Sequence, residues 1–275
     1  MDQLERCIGF SPSDRLLASN KLVRMQTAYN LARMMCDLQR RSRYHFYWIT
    51  IINEDWHSRH DRTEVDLESI RRLVEVVLSP FDLHWFGMIE IDIFNNYPGK
   101  GRGLWVMPHV HLLGWSWHAY SEEELQSKAL TQFLRASITG RPIVAKHTWT
   151  SHSLAHPCFY MTKPNYKCKS MGRLDPVTGY RKIADREHSV RPGLTLRQAE
   201  TLSYMTIDEL MLASGQGRRT KRRLIRSLSN GPAISDRPGH AVGSVETMWR
   251  EIMPQNRLQR SHVRIIRRYL GLKLN

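Results

Sequence analysis

The chain has 275 residues, of which 41% are hydrophobic, and a formal net charge of +15. This length is enough for one or two domains with a sizeable core, and the composition is typical of a folded protein rather than a disordered one. No apolar run approaches the roughly 18 residues that a membrane-spanning helix needs, and the first residues lack the pattern of a secretory signal. We therefore expect a cytoplasmic protein with no membrane association.

The positive charge is concentrated near the C-terminus. Residues 216–275 contain 14 Lys or Arg and 3 Asp or Glu, whereas the rest of the chain is close to balanced. Such a distribution predicts a polyanionic partner whose affinity falls as salt rises, although a solvated basic face would look the same. The residues that we expect to contact DNA are Arg218, Arg219, Lys221, Arg222, Arg223 and Arg226.

Hydrophobic periodicity predicts alternating helices and strands over the first 160 residues. We expect helices at 13–41, 66–78, 121–137 and about 156–160, the third opened by a capping box and the last with Pro157 in its first turn. We expect strands at 44–52, 83–94, 104–115 and 143–149. The order β-α-β-β-α-β predicts an α+β fold with a ferredoxin-like core and flanking helical segments.

The expected organisation is a helical N-terminal segment (1–43), a core domain (44–170), a helical basic region (171–230) and a linker with a basic tail (231–275). Residues 194–200 and 206–210 each resemble the start of a helix, the second with a capping box. Together with the basic run that follows, they could form a helix-turn-helix or an ordinary helical bundle.

The most informative motif is His109-Val110-His111. In a strand, residues two apart project from the same face, so both imidazoles can bind one divalent metal while Val110 points into the core. Glu90 and Asp92 lie two apart on the preceding strand, and in a split β-α-β-β-α-β sheet they come beside the histidines. Mixed nitrogen and oxygen ligands favour manganese or magnesium, with zinc as an alternative. We expect Glu90 rather than Asp92 to complete the site.

Tyr160 and Lys163 follow about fifty residues later and are spaced to share one face of a helical turn. A phenol has a pKa of about 10 and needs activation to act as a nucleophile at neutral pH. A nearby metal and an ammonium group would provide that activation. Tyr166 is a competing nucleophile, but it lies six residues further on and Pro164 interrupts the helix between them. We therefore expect a single catalytic tyrosine.

The histidine pair followed by Tyr160 and Lys163 resembles the HUH endonuclease superfamily, in its replication-initiator (Rep) branch, over roughly residues 44–170. The resemblance implies a metal-assisted nuclease that nicks single-stranded DNA at a replication origin, forms a 5′-phosphotyrosyl intermediate and later rejoins the strand. It implies rolling-circle replication of a plasmid or phage in a bacterial cell. An HUH transposase or relaxase, or a DNA-binding protein without catalysis, remains an alternative.

No phosphate-binding loop of the Gly-x-x-x-x-Gly-Lys-Ser/Thr type is present, so we expect no built-in helicase. A replication initiator of this kind would depend on a host helicase and polymerase. The segment around His57 and His60 is polar, and we expect both histidines to lie on a surface loop.

Overall fold

The computed structural model describes residues 16–59, 65–148, 150–162, 167–183, 188–189 and 201–230. Within these ranges the chain has a mixed α+β fold with one large sheet. The helices are α1 (Lys21–Arg41), α2 (Leu67–Leu78), α3 (Glu122–Leu125), α4 (Lys128–Thr131), α5 (Ser151–Thr162) and α6 (Gly217–Asn230), and a 3-10 turn spans Glu54–Trp56. The strands are β1 (His45–Ile52), β2 (Ser58–Arg59), β3 (His84–Asn95), β4 (Leu104–Ser116), β5 (Ile143–His147), β6 (Lys167–Leu174), β7 (Arg181–Ile183), β8 (His188–Ser189) and β9 (Met211–Ser214).

The sheet has the strand order β5-β1-β4-β3-β6-β7. Strands β5, β1, β4 and β3 pair antiparallel with their neighbours, and β6 pairs parallel with β3. Three short strands lie off this path: β2 pairs with β4, β8 with β6 and β9 with β3. The two longest strands, β3 and β4, therefore form the centre of the sheet and are supported on both sides.

The core strands form where the sequence is rich in β-branched and aromatic residues. Ile49 and Ile51 of β1 lie opposite Leu112 and Val110 of β4, and all four side chains are fully buried. Helix α2 adds Ile70, Val74 and Val77 to the same core cluster. Because side chains alternate along a strand, this apolar face leaves the histidines of β4 on the opposite face.

Helices α1 and α5 pack along each other, and α5 also contacts β3 and β4. The contacting face of α1 is made of small and apolar residues, including Ala28, Leu31, Ala32 and Met35, all buried. Helix α6 packs on α1, β3 and β9. In the described part of the chain, no helix is both long enough and apolar enough to cross a membrane.

Several predicted helices differ from the observed ones. Helix α1 begins at Lys21, so the predicted helix is wrong over residues 16–20, which form turns and a bridge between Leu17 and Thr206; the predicted start at residue 13 lies outside the described residues. The capping box of Ser121 and Glu124 is present, but the predicted helix 121–137 is wrong because it breaks into α3 and α4. Helix α5 is longer than predicted, so Pro157 lies in its interior rather than in its first turn.

The predicted helix start at 206–210 is wrong. Glu209 accepts hydrogen bonds from the backbone N–H (2.6 Å) and hydroxyl (2.9 Å) of Thr206, as in a capping box, but the chain turns and continues into β9. The reason is that the Leu210 carbonyl accepts a bond from Ile89 N–H, which draws the segment onto the sheet. A strand instead of a second helix rules out a helix-turn-helix at 206–226.

The basic run itself is helical, as predicted, in α6. The predicted domain boundary at residue 170 falls inside β6, and β9 joins the same sheet as the core strands. The helix start expected at 194–200 and the linker and tail at 231–275 lie outside the described residues.

Candidate metal centre

Glu90, His109 and His111 converge on one face of the central strands. Glu90 on β3 lies directly opposite His109 on β4, and His111 lies opposite Thr50 on β1. One ligand atom from each of the three side chains can be chosen so that all lie within 4.8 Å of one another. The three residues could therefore hold a metal ion, and the sequence-based preference for Glu90 agrees with this grouping.

The distances between the ligand atoms are short. The two imidazole Nε2 atoms are 3.0 Å apart. Glu90 Oε2 lies 3.0 Å from His111 Nε2 and 3.5 Å from His109 Nε2. The side chains of Glu90 and His111 are almost completely buried, whereas His109 is slightly more open. One side of the group is thus enclosed by the sheet, and access is from the side of His109.

Two hydrogen bonds fix the orientation of the imidazoles. His109 Nδ1 lies 3.3 Å from the Met107 carbonyl oxygen, and His111 Nδ1 lies 2.9 Å from the Thr50 hydroxyl. A carbonyl oxygen only accepts, so His109 Nδ1 donates, and in a neutral ring this leaves the lone pair on Nε2. Such bonds are typical of metal-binding histidines.

The donor set fits a divalent cation. When Nδ1 carries the proton in both rings, the two Nε2 lone pairs and the carboxylate of Glu90 all point at one place. These atoms repel one another unless a proton or a cation lies between them. Two imidazoles and one carboxylate leave further coordination positions open. The number of protein ligands is therefore compatible with manganese, magnesium or zinc.

Asp92, the second predicted carboxylate, has a different partner. Lys169 on β6 donates to Asp92, and both side chains are more than 90% buried. Asp92 still lies near the group, with Oδ2 3.8 Å from His109 Nε2. Lys169 offsets one of the two negative charges, so Glu90 remains as the carboxylate that faces both histidines.

Tyr160 lies directly beside the histidines. It is half-buried on α5, and its ring meets the ring of His111 edge-on, with the centroids 4.9 Å apart. Trp48 stacks on His111 at 4.9 Å and also contacts Tyr160 edge-on. The phenol is therefore held by packing next to a candidate metal ligand. Lys163 and Tyr166 lie outside the described residues.

A cavity of about 290 Å³ opens beside this group. Its aromatic and polar lining includes Trp48, His57, Asp92, Phe94, Tyr97, His109, His111, Thr139, Tyr160 and Lys169. A volume near 300 Å³ is at the small end of the range for ligand sites. The two candidate histidine ligands and the tyrosine thus line one cavity.

The prediction that His57 lies on a surface loop is wrong. His57 is buried, lines the cavity and packs edge-on against Tyr97 at 5.1 Å. Burial, and to a smaller extent the charge of Lys100, lower the pKa of His57 to about 3, so the ring is neutral at neutral pH. Its partner in the prediction, His60, lies outside the described residues.

Glu54 anchors this wall of the cavity. Its carboxylate accepts hydrogen bonds from the hydroxyls of Tyr97 (3.0 Å) and Ser137 (2.5 Å) and from Ile138 N–H (2.9 Å). Burial alone would raise the pKa of Glu54, but these bonds hold it below the ordinary value. Three separate segments are thereby joined around one ionised carboxylate.

The predicted DNA-contacting residues of α6 do not share one environment. Lys221 is half-buried and donates to the backbone carbonyls of Asp208 (2.7 Å) and Met211 (2.8 Å), and burial lowers its pKa. The arginines of the same run are exposed: Arg218, Arg219, Arg222, Arg223 and Arg226. Lys221 thus fastens the helix to the sheet, and only the arginines present their charge to solvent.

Comparison with known proteins gives no family for this chain. No protein-family model, curated protein or solved structure matches it. The functional argument therefore depends on the residues and geometry described above.

Proposed function

We propose that this protein is an HUH-type single-strand DNA nickase and ligase that uses Tyr160 as its nucleophile and a divalent metal at Glu90, His109 and His111. The observation that supports this most is the edge-on contact of Tyr160 with His111, beside two further candidate ligands. A phenol in such a position can act as a nucleophile and form a covalent intermediate.

The topology is consistent with this proposal. The long strands in the order β5-β1-β4-β3, with α2 connecting β1 to β3, have the arrangement of the ferredoxin-like split motif. The paired histidines are on a central strand of that motif, and Tyr160 follows on the helix after β5. This is the order of elements that the HUH resemblance implies.

In the proposed reaction, the phenol oxygen of Tyr160 attacks the scissile phosphorus after losing its proton to water. The bond between phosphorus and the 3′-oxygen breaks, and that oxygen takes up a proton and leaves as a 3′-hydroxyl. A divalent ion at the three ligands would draw negative charge from a non-bridging phosphate oxygen. The resulting 5′-phosphotyrosyl bond keeps its energy, so attack by a 3′-hydroxyl rejoins the strand.

The protein's own residues prepare this step in three ways. Thr50 and the Met107 carbonyl orient the imidazoles, packing by Trp48 and His111 holds the Tyr160 ring, and Lys169 offsets the charge of Asp92. Offsetting that charge matters because a second uncompensated carboxylate would repel the incoming phosphate. Lys163 is proposed to steady the phosphate or activate the phenol.

We further propose a biological role as an initiator of rolling-circle replication in a bacterial cytoplasm. The exposed arginines of α6 would bind the phosphates of the origin DNA, and a host helicase and polymerase would extend the 3′-hydroxyl. An HUH transposase or relaxase would use the same chemistry on other DNA.

The test is formation of a covalent adduct. Single strands tiled across both strands of the replicon that encodes the protein are incubated with enzyme and MnCl₂ and separated on a denaturing gel. A strand labelled at its 3′ end should move with the protein, because the 5′-phosphate becomes linked. The same strand labelled at its 5′ end should be shortened and remain free.

Two tyrosine variants provide the control. Tyr160→Phe should abolish the adduct and leave DNA binding within a few-fold, whereas Tyr166→Phe should retain it. An adduct of full strength in Tyr160→Phe, mapped to Tyr166, would mean that the other tyrosine is the nucleophile. Binding without an adduct on any tile would instead indicate a DNA-binding protein without catalysis.

A further inference from the structure

Two polar groups in the cavity beside the metal centre have no hydrogen-bond partner among the described residues. Both ring nitrogens of His57 and the hydroxyl oxygen of Thr139 are buried and unpaired. His57 is only 9% exposed. Buried polar groups in native proteins almost always have a partner, and an exception calls for a ligand, water or function to explain it.

Both residues line the same cavity as His109 and Tyr160, although they come from different parts of the chain. His57 follows β1 and the 3-10 turn, and Thr139 belongs to the connection before β5. Two unpaired groups that meet in one cavity point to a ligand that offers both a donor and an acceptor.

The remaining walls are suited to a flat aromatic ligand. Trp48, Phe94 and Tyr97 line the cavity, and Tyr97 is held by its bond to Glu54 and by edge-on contacts with His57 and Phe94. Phe94 and Tyr97 are almost completely buried and give the cavity a rigid wall, whereas Trp48 is partly exposed, and an accessible aromatic face is where an unstacked base binds. A volume of about 290 Å³ limits the occupant to a small group.

We infer that this cavity binds one unstacked nucleobase next to the scissile phosphate, and that His57 and Thr139 hydrogen-bond to its edge. The inference rests on the proposed function in one respect, since it takes single-stranded DNA as the ligand. It adds a role in base selection for two residues that are neither metal ligands nor the nucleophile.

The chemistry of His57 suits a base edge better than a phosphate. A neutral imidazole offers one donor and one acceptor, which is the pattern of a base edge, whereas a phosphate offers acceptors alone. The low pKa of His57 keeps the ring in that form at neutral pH. Phosphate recognition is left to the positive charge of Lys169 and to the metal centre.

The test measures base preference by binding, in a background that lacks the proposed nucleophile. The Tyr160→Phe protein is incubated with MgCl₂ and a pool of 20-nucleotide single strands with ten random central positions, and bound strands are sequenced. We expect one position to show a strong preference. His57→Phe, which keeps the packing on Tyr97, should weaken the preference at that position by about tenfold and leave its neighbours unchanged.

Thr139→Val, an isosteric change, should weaken the base preference at the same position. If melting curves show that His57→Phe does not fold, Thr139→Val alone tests the inference. His147→Phe is the matched control, because His147 also packs on a tyrosine (Tyr47, centroids 4.7 Å apart) but does not line the cavity. The base preferences of the His147→Phe variant should equal those of the Tyr160→Phe parent protein.

Three results would overturn the inference: no preferred position in the parent, an unchanged preference in both cavity variants, or a uniform loss at all positions. Because every protein in this test lacks Tyr160, the result does not depend on nicking. A failed adduct assay with a retained base preference would reject the proposed catalysis and keep the base site.

Discussion

Lys169 and Asp92 form an ion pair inside the protein, where β6 begins to run parallel to β3. The two residues are 77 positions apart in the chain, and their side chains are 9% and 2% exposed. A buried charge is tolerated only with a partner, so this pair ties the start of β6 to the strand that also contains Glu90.

Removing Lys169 alone should be strongly destabilising. In Lys169→Met, Asp92 is left buried without its partner, and we expect the free energy of unfolding to fall by about 3 kcal/mol or more. Urea denaturation at pH 7 in EDTA measures this loss without any contribution from bound metal.

The matched control is Lys146→Met, because Lys146 is an exposed lysine on β5 and should change stability by less than about 0.5 kcal/mol. The double variant Asp92→Leu with Lys169→Met should recover most of the loss, since two apolar groups replace the pair. Equal stability of Lys169→Met and Lys146→Met would contradict the ion pair.

The candidate metal centre predicts a metal-dependent stabilisation. Addition of MnCl₂ at about 100 times the dissociation constant should stabilise the wild-type protein by about 2.7 kcal/mol. His109→Ala and His111→Ala should lose this effect and still fold, because both side chains face the cavity rather than the apolar core. Melting curves with and without MnCl₂ provide the measurement.

His118→Ala serves as the control, since His118 is exposed beyond the end of β4. It should respond to MnCl₂ like the wild type. Retention of the full metal response in both His109→Ala and His111→Ala would place the binding site elsewhere.

His57 predicts a specific pH dependence of stability. Its folded pKa of about 3 lies below the ordinary value of 6.5, so protonation favours the unfolded chain. The contribution of the neutral ring is complete above pH 6.5 and is lost as pH falls toward the folded pKa. At pH 5 the loss should be about 2 kcal/mol.

His57→Phe should remove this part of the decline, so its stability should fall less than that of the wild type between pH 7 and pH 5. Urea denaturation at both pH values measures the difference. His118→Phe should decline like the wild type. Parallel declines in all three proteins would mean that His57 does not titrate with the predicted low pKa.

The arginines of α6 predict a salt effect on DNA binding. Arg219, Arg223 and Arg226 lie within one exposed arc of the helix, since they are spaced i, i+4 and i+7. Changing all three to Gln should reduce the slope of log affinity against log salt by about 2 for a single-stranded dT₂₀. Fluorescence anisotropy across a KCl series gives the slope.

Lys221→Met is the control within the same helix. It removes the bonds to the carbonyls of Asp208 and Met211, so it should lower stability while leaving the salt slope unchanged. An unchanged slope in the triple arginine variant would show that this face of α6 does not contact DNA.

The four long strands could be predicted from sequence because their signal is local. Alternation and β-branched composition mark β1, β3, β4 and β5 without reference to the rest of the chain. The same two-residue period correctly predicted that His109 and His111 share one face of β4. The pairing of β3 with β4 then places Glu90 beside them.

The break in the helix predicted at 121–137 could not be predicted from the local sequence pattern. Its capping box is real, but the backbone of Arg135 bonds to the segment after β1: its N–H donates to the side-chain Oδ1 of Asn53 (3.0 Å) and its carbonyl accepts from Glu54 N–H (2.7 Å). A helix through Arg135 would lose both contacts. Tertiary hydrogen bonds thus outweigh helix propensity here.

His57, Thr139 and Lys169 were not predicted to line the cavity for a related reason. The first two lie on connections, where no periodicity relates a residue to the sheet, and Lys169 enters the site through a parallel pairing of β3 with β6. For His57, the sequence shows only a histidine in a polar stretch. Its burial depends on packing against Tyr97, forty residues away in the chain.

The pairing of β9 with β3 affects how this protein can be divided for experiments. β9 covers Trp85–Met88 and β6 covers Ile93–Asn95 along the same edge of β3. A recombinant fragment that ends at residue 170 would leave most of that edge bare, and bare strand edges pair with other chains. Such a fragment should self-associate, whereas one that extends to residue 230 keeps the edge covered.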